Sequence, residues 1–265
     1  MLPCDLCGET EGLPLSQADK FGSGGVFVCA GCGFVHVKER RSAQEVAAAW
    51  DAIYGEGYTS AWPAVWARLQ YVAEWYDQKH GWKDKDVLEI GAGEGTFLKI
   101  VRDRGARPVG LEPFDKNVEK MKADGITAVH ATIEDASAKP GFDVVCILWT
   151  LENCSDCIGM LKKAREFLNP GGHVLVATGS RILVPFKKPI STYFSDNPPD
   201  THCFRWSAAS LHNAFRKAGL GRRATNNFMA CDWMVALAQA GFAAPLKDDP
   251  EAVLAYFDAW ERLPI

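Results

Sequence analysis

The sequence predicts an α/β protein with a doubly wound, mostly parallel sheet of seven strands and a small cysteine-rich module ahead of it. Two observations support this prediction. Short apolar runs alternate with helical segments from residue 84 onward, and four of the nine cysteines fall within the first 32 residues. Strands that alternate with helices over short links favour a parallel sheet, and such sheets bind ligands beyond the carboxyl ends of their strands.

The composition is that of a globular protein with a mildly acidic surface. The chain has 265 residues, of which 48% are apolar and 23% are charged, and its net charge is -4. A nucleic-acid-binding domain usually carries a basic excess, so the composition disfavours a nucleic acid partner. No apolar run reaches the length of about 20 residues that spans a bilayer, and the first residues lack a secretion signal. We therefore expect a cytoplasmic, reduced protein with no membrane partner.

The N-terminal cysteines form two pairs, Cys4-x-x-Cys7 and Cys29-x-x-Cys32. A two-residue gap lets one tight turn present both sulfurs to a single ion, and the residues between the pairs suffice for a hairpin. Four thiolates in a tetrahedron are the ligands that Zn²⁺ takes in closed structural sites. The spacing therefore predicts a structural zinc ribbon over residues 1–40, in which the metal supplies most of the folding free energy.

Residues 41–83 are predicted to form a helical connector or lid, with helices over 42–50 and 62–80. The charged run 38–41 ahead of it is interpreted as a solvated link. Arg68 and two tyrosines of the connector, Tyr54 and Tyr58, are candidates for lining a site.

The sheet follows from residue 84. The predicted strands are 86–90, 107–112, 127–130, 142–148 and 173–178, closed by two strands at about 221–227 and 231–238 that are antiparallel at the sheet edge. Helices are predicted over 96–104, 114–122, 155–168 and 208–218. The run 142–148 is continuously apolar, which is typical of a parallel strand covered on both faces.

The turn after the first of these strands carries Gly91, Gly93 and Gly95 but lacks the Gly-x-Gly-x-x-Gly spacing of dinucleotide-binding turns. Glu89 lies two residues before the first glycine, where a carboxylate repels a pyrophosphate and attracts the ammonium group of an amino acid. Glu112, at the end of the second strand, suits hydrogen bonds from ribose hydroxyls. S-adenosylmethionine (SAM) has a ribose and a cationic amino-acid end without a diphosphate, and it is the ligand that these residues predict.

Four segments in order, 87–98, 110–113, 142–153 and 168–178, resemble the class I SAM-dependent methyltransferases. The resemblance covers about residues 84–240 and implies a Rossmann-like SAM-binding domain. Thr132 stands where the family usually has an aspartate that reads adenine, so Ile133 and its neighbours are expected to contact adenine through backbone and apolar surface. The cofactor-binding residues predicted in this way are Glu89, Gly91, Ala92, Gly93, Gly95, Glu112, Pro113, Thr132, Ile133 and Trp149.

The combination of zinc ribbon and methyltransferase domain is similar to the bacterial C- and O-methyltransferases that act on nucleotide-linked or glycan sugars. It implies a small polar acceptor and a place in carbohydrate biosynthesis. Two alternatives stay open: an RNA or protein methyltransferase that uses the ribbon for recognition, and a SAM-binding protein without catalysis. The second is kept open because the family's usual histidines are missing from 149–153.

The long polar segment 180–202 is expected to select the acceptor. A hydroxyl acceptor needs a base, and His202 is the first candidate because the ordinary pKa of histidine, near 6.5, suits proton removal at neutral pH. A structural role for His202 stays open, and Tyr193 and Glu152 are the next candidates. Residues 241–265 predict a helical extension that packs on the core or on a second subunit, and the oligomeric state is left open.

Overall fold

The structure is a computed structural model that describes residues 3–42, 44–46, 48–50, 62–137, 139–179, 189–194, 202–226 and 233–262. The strands are β1 (Gly12–Pro14), β2 (Val26–Cys29), β3 (Val35–Val37), β4 (Asp86–Ile90), β5 (Arg107–Glu112), β6 (Thr127–His130), β7 (Phe142–Leu148), β8 (Leu168–Gly179), β9 (Phe204–Arg205), β10 (Leu220–Thr225) and β11 (Trp233–Ala240). The helices are α1 (Ser16–Phe21), α2 (Pro63–His80), α3 (Thr96–Arg102), α4 (Asp115–Ala123), α5 (Cys157–Glu166), α6 (Ile190–Tyr193), α7 (Ala208–Lys217) and α8 (Pro250–Glu261). Residues 44–46 and 48–50 are also helical.

The larger sheet has seven strands in the described part of the chain, in the order β10-β11-β8-β7-β4-β5-β6. Strands β4 to β8 pair in parallel, and β11 runs antiparallel to both of its neighbours. The predicted mostly parallel sheet is therefore confirmed. Strand β8 begins at Leu168, earlier than predicted, because residues 168–172 join the ladder through a register shift against β7.

The core of this sheet follows from its sequence. In β7, residues 144–147 are completely buried, as expected for a strand with helices on both faces. Helix α2 begins with Pro63 at its first turn, where proline is well tolerated, and its buried face includes Leu69 and Tyr76. None of the helices in the described ranges is both long and apolar enough to span a bilayer.

The smaller sheet joins distant parts of the chain. Its order is β1-β2-β3-β9, all antiparallel, so Phe204–Arg205 completes a sheet that the sequence assigns to residues 1–40 alone. Helix α8 packs on the same module, where Phe257 and Trp260 share an apolar cluster with Val28 of β2. Within the chain, this helix of residues 241–265 packs on the N-terminal module.

Candidate functional site

A cavity of about 220 Å³ lies at the carboxyl ends of β4, β5, β6 and β7, as expected for a doubly wound sheet. The walls come from the turn after β4, the end of β5, the segments that follow β6 and β7, and two parts of the connector. The connector residues that line it are Val46, Trp50, Val65, Arg68 and Leu69.

The glycine turn lets the wall after β7 approach closely. Gly91 has a φ of 70°, and a Cβ at this position would lie 2.6 Å from the hydroxyl oxygen of Thr150. Gly95 has a φ of 72°, and a Cβ there would lie 2.5 Å from Cγ of Met121. Gly95 is not among the residues that line the cavity, so its observed role is to make the turn into α3 and to leave room for Met121.

Backbone amides hold the carboxylate of Glu112 in place. The amide of Gly93 donates to Oε2 at 2.8 Å, and the amide of Phe114 donates to Oε1 at 3.0 Å. Burial raises the pKa of Glu112 above its ordinary value, although these hydrogen bonds act in the opposite direction. A carboxylate has about four acceptor positions, so both oxygens retain acceptor capacity toward the cavity.

The carboxylate of Glu89 is less well satisfied by hydrogen bonds than that of Glu112. Its side chain lines the cavity and only 3% of the residue is exposed, and Oε2 has no hydrogen-bond partner among the described residues. Burial raises the pKa of Glu89 well above its ordinary value, and the neighbouring charge of Glu112 raises it further. A cationic group bound here would supply the missing hydrogen bond and neutralise the charge.

One basic side chain lines the same cavity as these two glutamates. Arg68 alone is basic among the described residues that line the cavity, and its guanidinium carbon lies 4.2 Å from the centre of the Trp149 ring. Trp149 has a φ of 51°, an uncommon backbone conformation for a bulky residue, directly after β7. Arg68 was a sequence candidate, whereas Tyr54 and Tyr58 lie outside the described residues.

Nine of the ten predicted cofactor residues line the cavity; Gly95 is the tenth. On the wall after β6, Ile133 is buried and Thr132 forms a local cap, in which its hydroxyl donates to Asp135 at 2.8 Å. The residues that the sequence did not indicate belong chiefly to the connector and to the wall after β7, and include Trp50 and Asn153.

The candidate bases lie elsewhere. Glu152 is buried outside the cavity lining, and its carboxylate accepts hydrogen bonds from the Thr178 hydroxyl at 2.8 Å and the Gly179 amide at 3.2 Å. These contacts tie the end of β7 to the end of β8. Tyr193 packs 5.1 Å from the Trp260 ring, and neither Tyr193 nor His202 lines the described cavity. Most of the segment 180–202, that is 180–188 and 195–201, lies outside the described residues.

The four N-terminal cysteines converge on one point. Their sulfur atoms all lie within 4.8 Å of one another, with Cys4 and Cys32 at 3.7 Å and Cys7 and Cys29 at 3.4 Å. Zinc bonded to sulfur at about 2.3 Å in a tetrahedron places the sulfurs about 3.8 Å apart, so the cluster fits the ion.

The ionisation of these thiols also favours a cation. A hydrogen bond from Cys32 lowers the pKa of Cys4 to about 5, while burial raises the pKa of Cys29 to about 12. The interaction with Cys4 raises the pKa of Cys32 as well. Four thiolates this close repel one another, and a divalent cation would allow all of them to ionise together.

Comparison with known proteins decides the family. The family model described as a methyltransferase domain matches residues 66–221, more than half of the chain. The chain belongs to this methyltransferase family.

The curated relatives match this chain over part of their length. The ubiquinone biosynthesis O-methyltransferase of Vibrio parahaemolyticus is 28% identical over 155 residues, which is 56% of this chain and 64% of the relative. The enzyme of the same name from Rhizobium etli is 32% identical over 104 residues, 37% of this chain and 42% of the relative. The chain thus spans less than two thirds of the length of these relatives.

Two of the solved structures that share this fold illustrate the similarity. The 1,6-didemethyltoxoflavin-N1-methyltransferase of Burkholderia thailandensis, solved with S-adenosylhomocysteine, has a TM-score of 0.57 at 13% identity, over 78% of this chain and 95% of that one. The magnesium protoporphyrin IX methyltransferase of Synechocystis has a TM-score of 0.54 at 13% identity, over 74% and 94% of the two chains. The predicted Rossmann-like fold of class I methyltransferases is confirmed.

Proposed function

We propose that this protein transfers the methyl group of SAM to a small polar acceptor. The observation that carries the proposal is the charge arrangement of the cavity in the described part of the chain. A buried Glu89 carboxylate with one oxygen unpaired lies beside a Glu112 carboxylate held by amides, and Arg68 is the one basic residue of the described lining. An α-amino acid needs an acidic group for its ammonium and a basic group for its carboxylate, and a ribose needs an acceptor for its hydroxyls. SAM carries all of these groups in one molecule.

Each residue has a proposed role. Glu89 binds the ammonium group, Arg68 the carboxylate, and Glu112 the ribose hydroxyls. Ile133 and Met160 give an apolar surface for the adenine. The cofactor supplies an activated methyl group, so the work of the protein is to bind, orient and exclude water.

For the acceptor we propose a hydroxyl group of a nucleotide-linked sugar or glycan. Support comes from the polar segment 180–202, and the names of the curated relatives, O-methyltransferases, agree with oxygen as the methylated atom. An RNA acceptor is disfavoured because residues 1–42 hold four basic and five acidic side chains, and because the module's sheet and α1 pack against β9 and α8.

Calorimetric titration with S-adenosylhomocysteine tests the cofactor site. We expect binding to the wild type and a loss of at least about tenfold in affinity for Glu112→Ala, because hydrogen bonds to a charged group contribute about 1.5–3 kcal/mol. Glu119→Ala, which removes an exposed glutamate of α4, is the matched control and should bind like the wild type. A wild-type protein that does not bind the ligand refutes the proposal.

Transfer from labelled SAM to a panel of nucleotide sugars, free glycans, simple phenols and RNA then tests the acceptor. Product in the sugar arm supports the proposed substrate class, and product only in another arm replaces it. Binding without transfer to any acceptor of the panel favours the non-catalytic alternative.

A further inference from the structure

Arg40 links the part of the cavity wall that follows β7 to the first cysteine turn of the N-terminal module. Nη1 of Arg40 donates to Oδ1 of Asp5 at 2.9 Å and also to the carbonyl oxygen of Ser155 at 2.9 Å. Asp5 lies within the first cysteine turn, next to Cys4, and Ser155 lines the cavity. A continuous path of three residues therefore leads from a predicted metal ligand to the cofactor pocket.

This contact is sheltered from solvent. The side chains of Arg40 and Asp5 are each only 12% exposed, and the guanidinium carbon lies 4.9 Å from the centre of the Phe204 ring. The second terminal nitrogen of Arg40, Nη2, donates to the other carboxylate oxygen of Asp5, so the guanidinium binds this carboxylate through two parallel hydrogen bonds. Such a pair fixes geometry far better than an exposed one, which salt screens and side-chain entropy weakens.

A second connection links the same part of the wall to the second cysteine turn through strands β3 and β9. Strand β3 begins three residues after Cys32 and pairs with β9. The amides of Cys203 and Phe204 donate to the carbonyl oxygen of Glu152, at 2.7 and 3.1 Å. The segment 152–155 is thus held by Arg40 and by the residues at the start of β9, the strand that pairs with β3.

Resting on the proposed function, we infer that Arg40 is a positioning residue that couples metal binding in the cysteine module to cofactor binding in the cavity. The metal fixes the turn that carries Asp5, Asp5 orients the Arg40 fork, and Arg40 holds the carbonyl of Ser155 in the wall. Coupling between two sites is reciprocal, so the cofactor must tighten metal binding by the same factor as the metal tightens cofactor binding.

The test measures zinc affinity of the zinc-loaded protein by chelator competition, with and without saturating S-adenosylhomocysteine. For the wild type we expect the ligand to tighten zinc binding about five- to tenfold, at the lower end of typical allosteric couplings. In Arg40→Ala this factor should fall by about twofold or more, with the connection through β9 left in place. Arg40→Lys, which keeps the charge but lacks the fork, should restore part of it.

Arg107→Ala is the matched control. Arg107 also pairs with a carboxylate, Asp86, and a carbonyl oxygen, that of Asp84, but at the opposite end of the large sheet. This variant should keep the wild-type coupling, since its arginine contacts neither the module nor the cavity.

The outcomes separate the two proposals. A wild type that does not bind S-adenosylhomocysteine refutes the proposed function. A wild type that binds it with no change in zinc affinity, or an Arg40→Ala protein with undiminished coupling, overturns the inference about Arg40 alone. If Arg40→Ala does not fold, Asp5→Asn decides the question, because it keeps the side-chain volume and removes the charge that holds the fork.

Discussion

Replacing Glu89 by glutamine separates what this residue does for stability from what it does for binding. The wild-type carboxylate is buried, and one of its oxygens has no hydrogen-bond partner in the described part of the chain. An unsatisfied buried polar group costs about 1–3 kcal/mol, and more when it is charged. Glu89→Gln removes the charge at nearly constant volume. We expect the ligand-free variant to be more stable at pH 8 by about 1–3 kcal/mol, or roughly 2–4 °C in melting temperature for each kcal/mol.

The pH dependence of this effect has a definite sign. Burial raises the pKa of Glu89 above its ordinary value of 4.5, so the folded protein keeps its proton where the unfolded chain has lost it. The stability of the wild type therefore falls as the pH rises from about 4.5 through the raised pKa, while glutamine has no proton to lose. The advantage of Glu89→Gln should be smallest at pH 4.5 and should grow with pH.

The same substitution should weaken the binding of S-adenosylhomocysteine. Hydrogen bonds to charged groups contribute about 1.5–3 kcal/mol, which corresponds to a loss of about 10- to 150-fold in affinity. Thermal melts between pH 4.5 and 8, together with calorimetric titration at pH 7.5, measure both effects on one preparation.

Asp86→Asn is the control on the same strand. A hydrogen bond from Arg107 lowers the pKa of Asp86, so its contribution to stability is lost as the pH falls, which is the opposite sign. Its binding of S-adenosylhomocysteine should match the wild type. The reasoning would be refuted if the stability of Glu89→Gln and its affinity for S-adenosylhomocysteine matched the wild type at every pH. The buried carboxylate of Glu89 would then neither destabilise the fold nor contact the ligand.

Two further pairs of substitutions test the packing. Trp260→Ala should destabilise the protein by about 3–5 kcal/mol in denaturant titrations, because Trp260 is 1% exposed in the cluster between α8 and the N-terminal module. The control Trp62→Ala changes an exposed residue and should cost less than about 0.5 kcal/mol. Equal effects of the two variants would contradict the observed packing of α8. Gly95→Ala should lower the free energy of unfolding more than Gly125→Ala in the same assay. Both glycines have a positive φ, which costs an alanine about 1–3 kcal/mol, but of these two positions only Gly95 would place a Cβ against Met121. The difference between the two variants therefore measures the steric overlap with Met121.

The large sheet could be predicted because its signals are local. Strands 86–90, 107–112, 127–130 and 142–148 have the predicted bounds, since each is a short apolar run bounded by turn residues. The positions of Glu89 and Glu112 also follow from local order, because the end of a parallel strand fixes which edge of the sheet a residue occupies.

The contacts that tie the module to the sheet could not be predicted. Phe204–Arg205 is too short to show a period, and its partner β3 lies far upstream in the sequence. The charged run 38–41 suggested a solvated link, and only the folded chain brings Arg40 to Asp5 and Ser155. Likewise, the sequence cannot say whether Glu152 faces the cavity or the neighbouring strand, since that depends on how β7 ends.

The way the N-terminal module is completed has a consequence for biosynthesis. A ribosome makes the cysteine turns, β1, β2 and β3 early, but β9 and α8, which cover them, much later. Until α8 has left the exit tunnel, the apolar cluster around Val28 lacks Val253, Phe257 and Trp260. A metal ion bound early would keep this incomplete module in one conformation until α8, which is made later, packs against it.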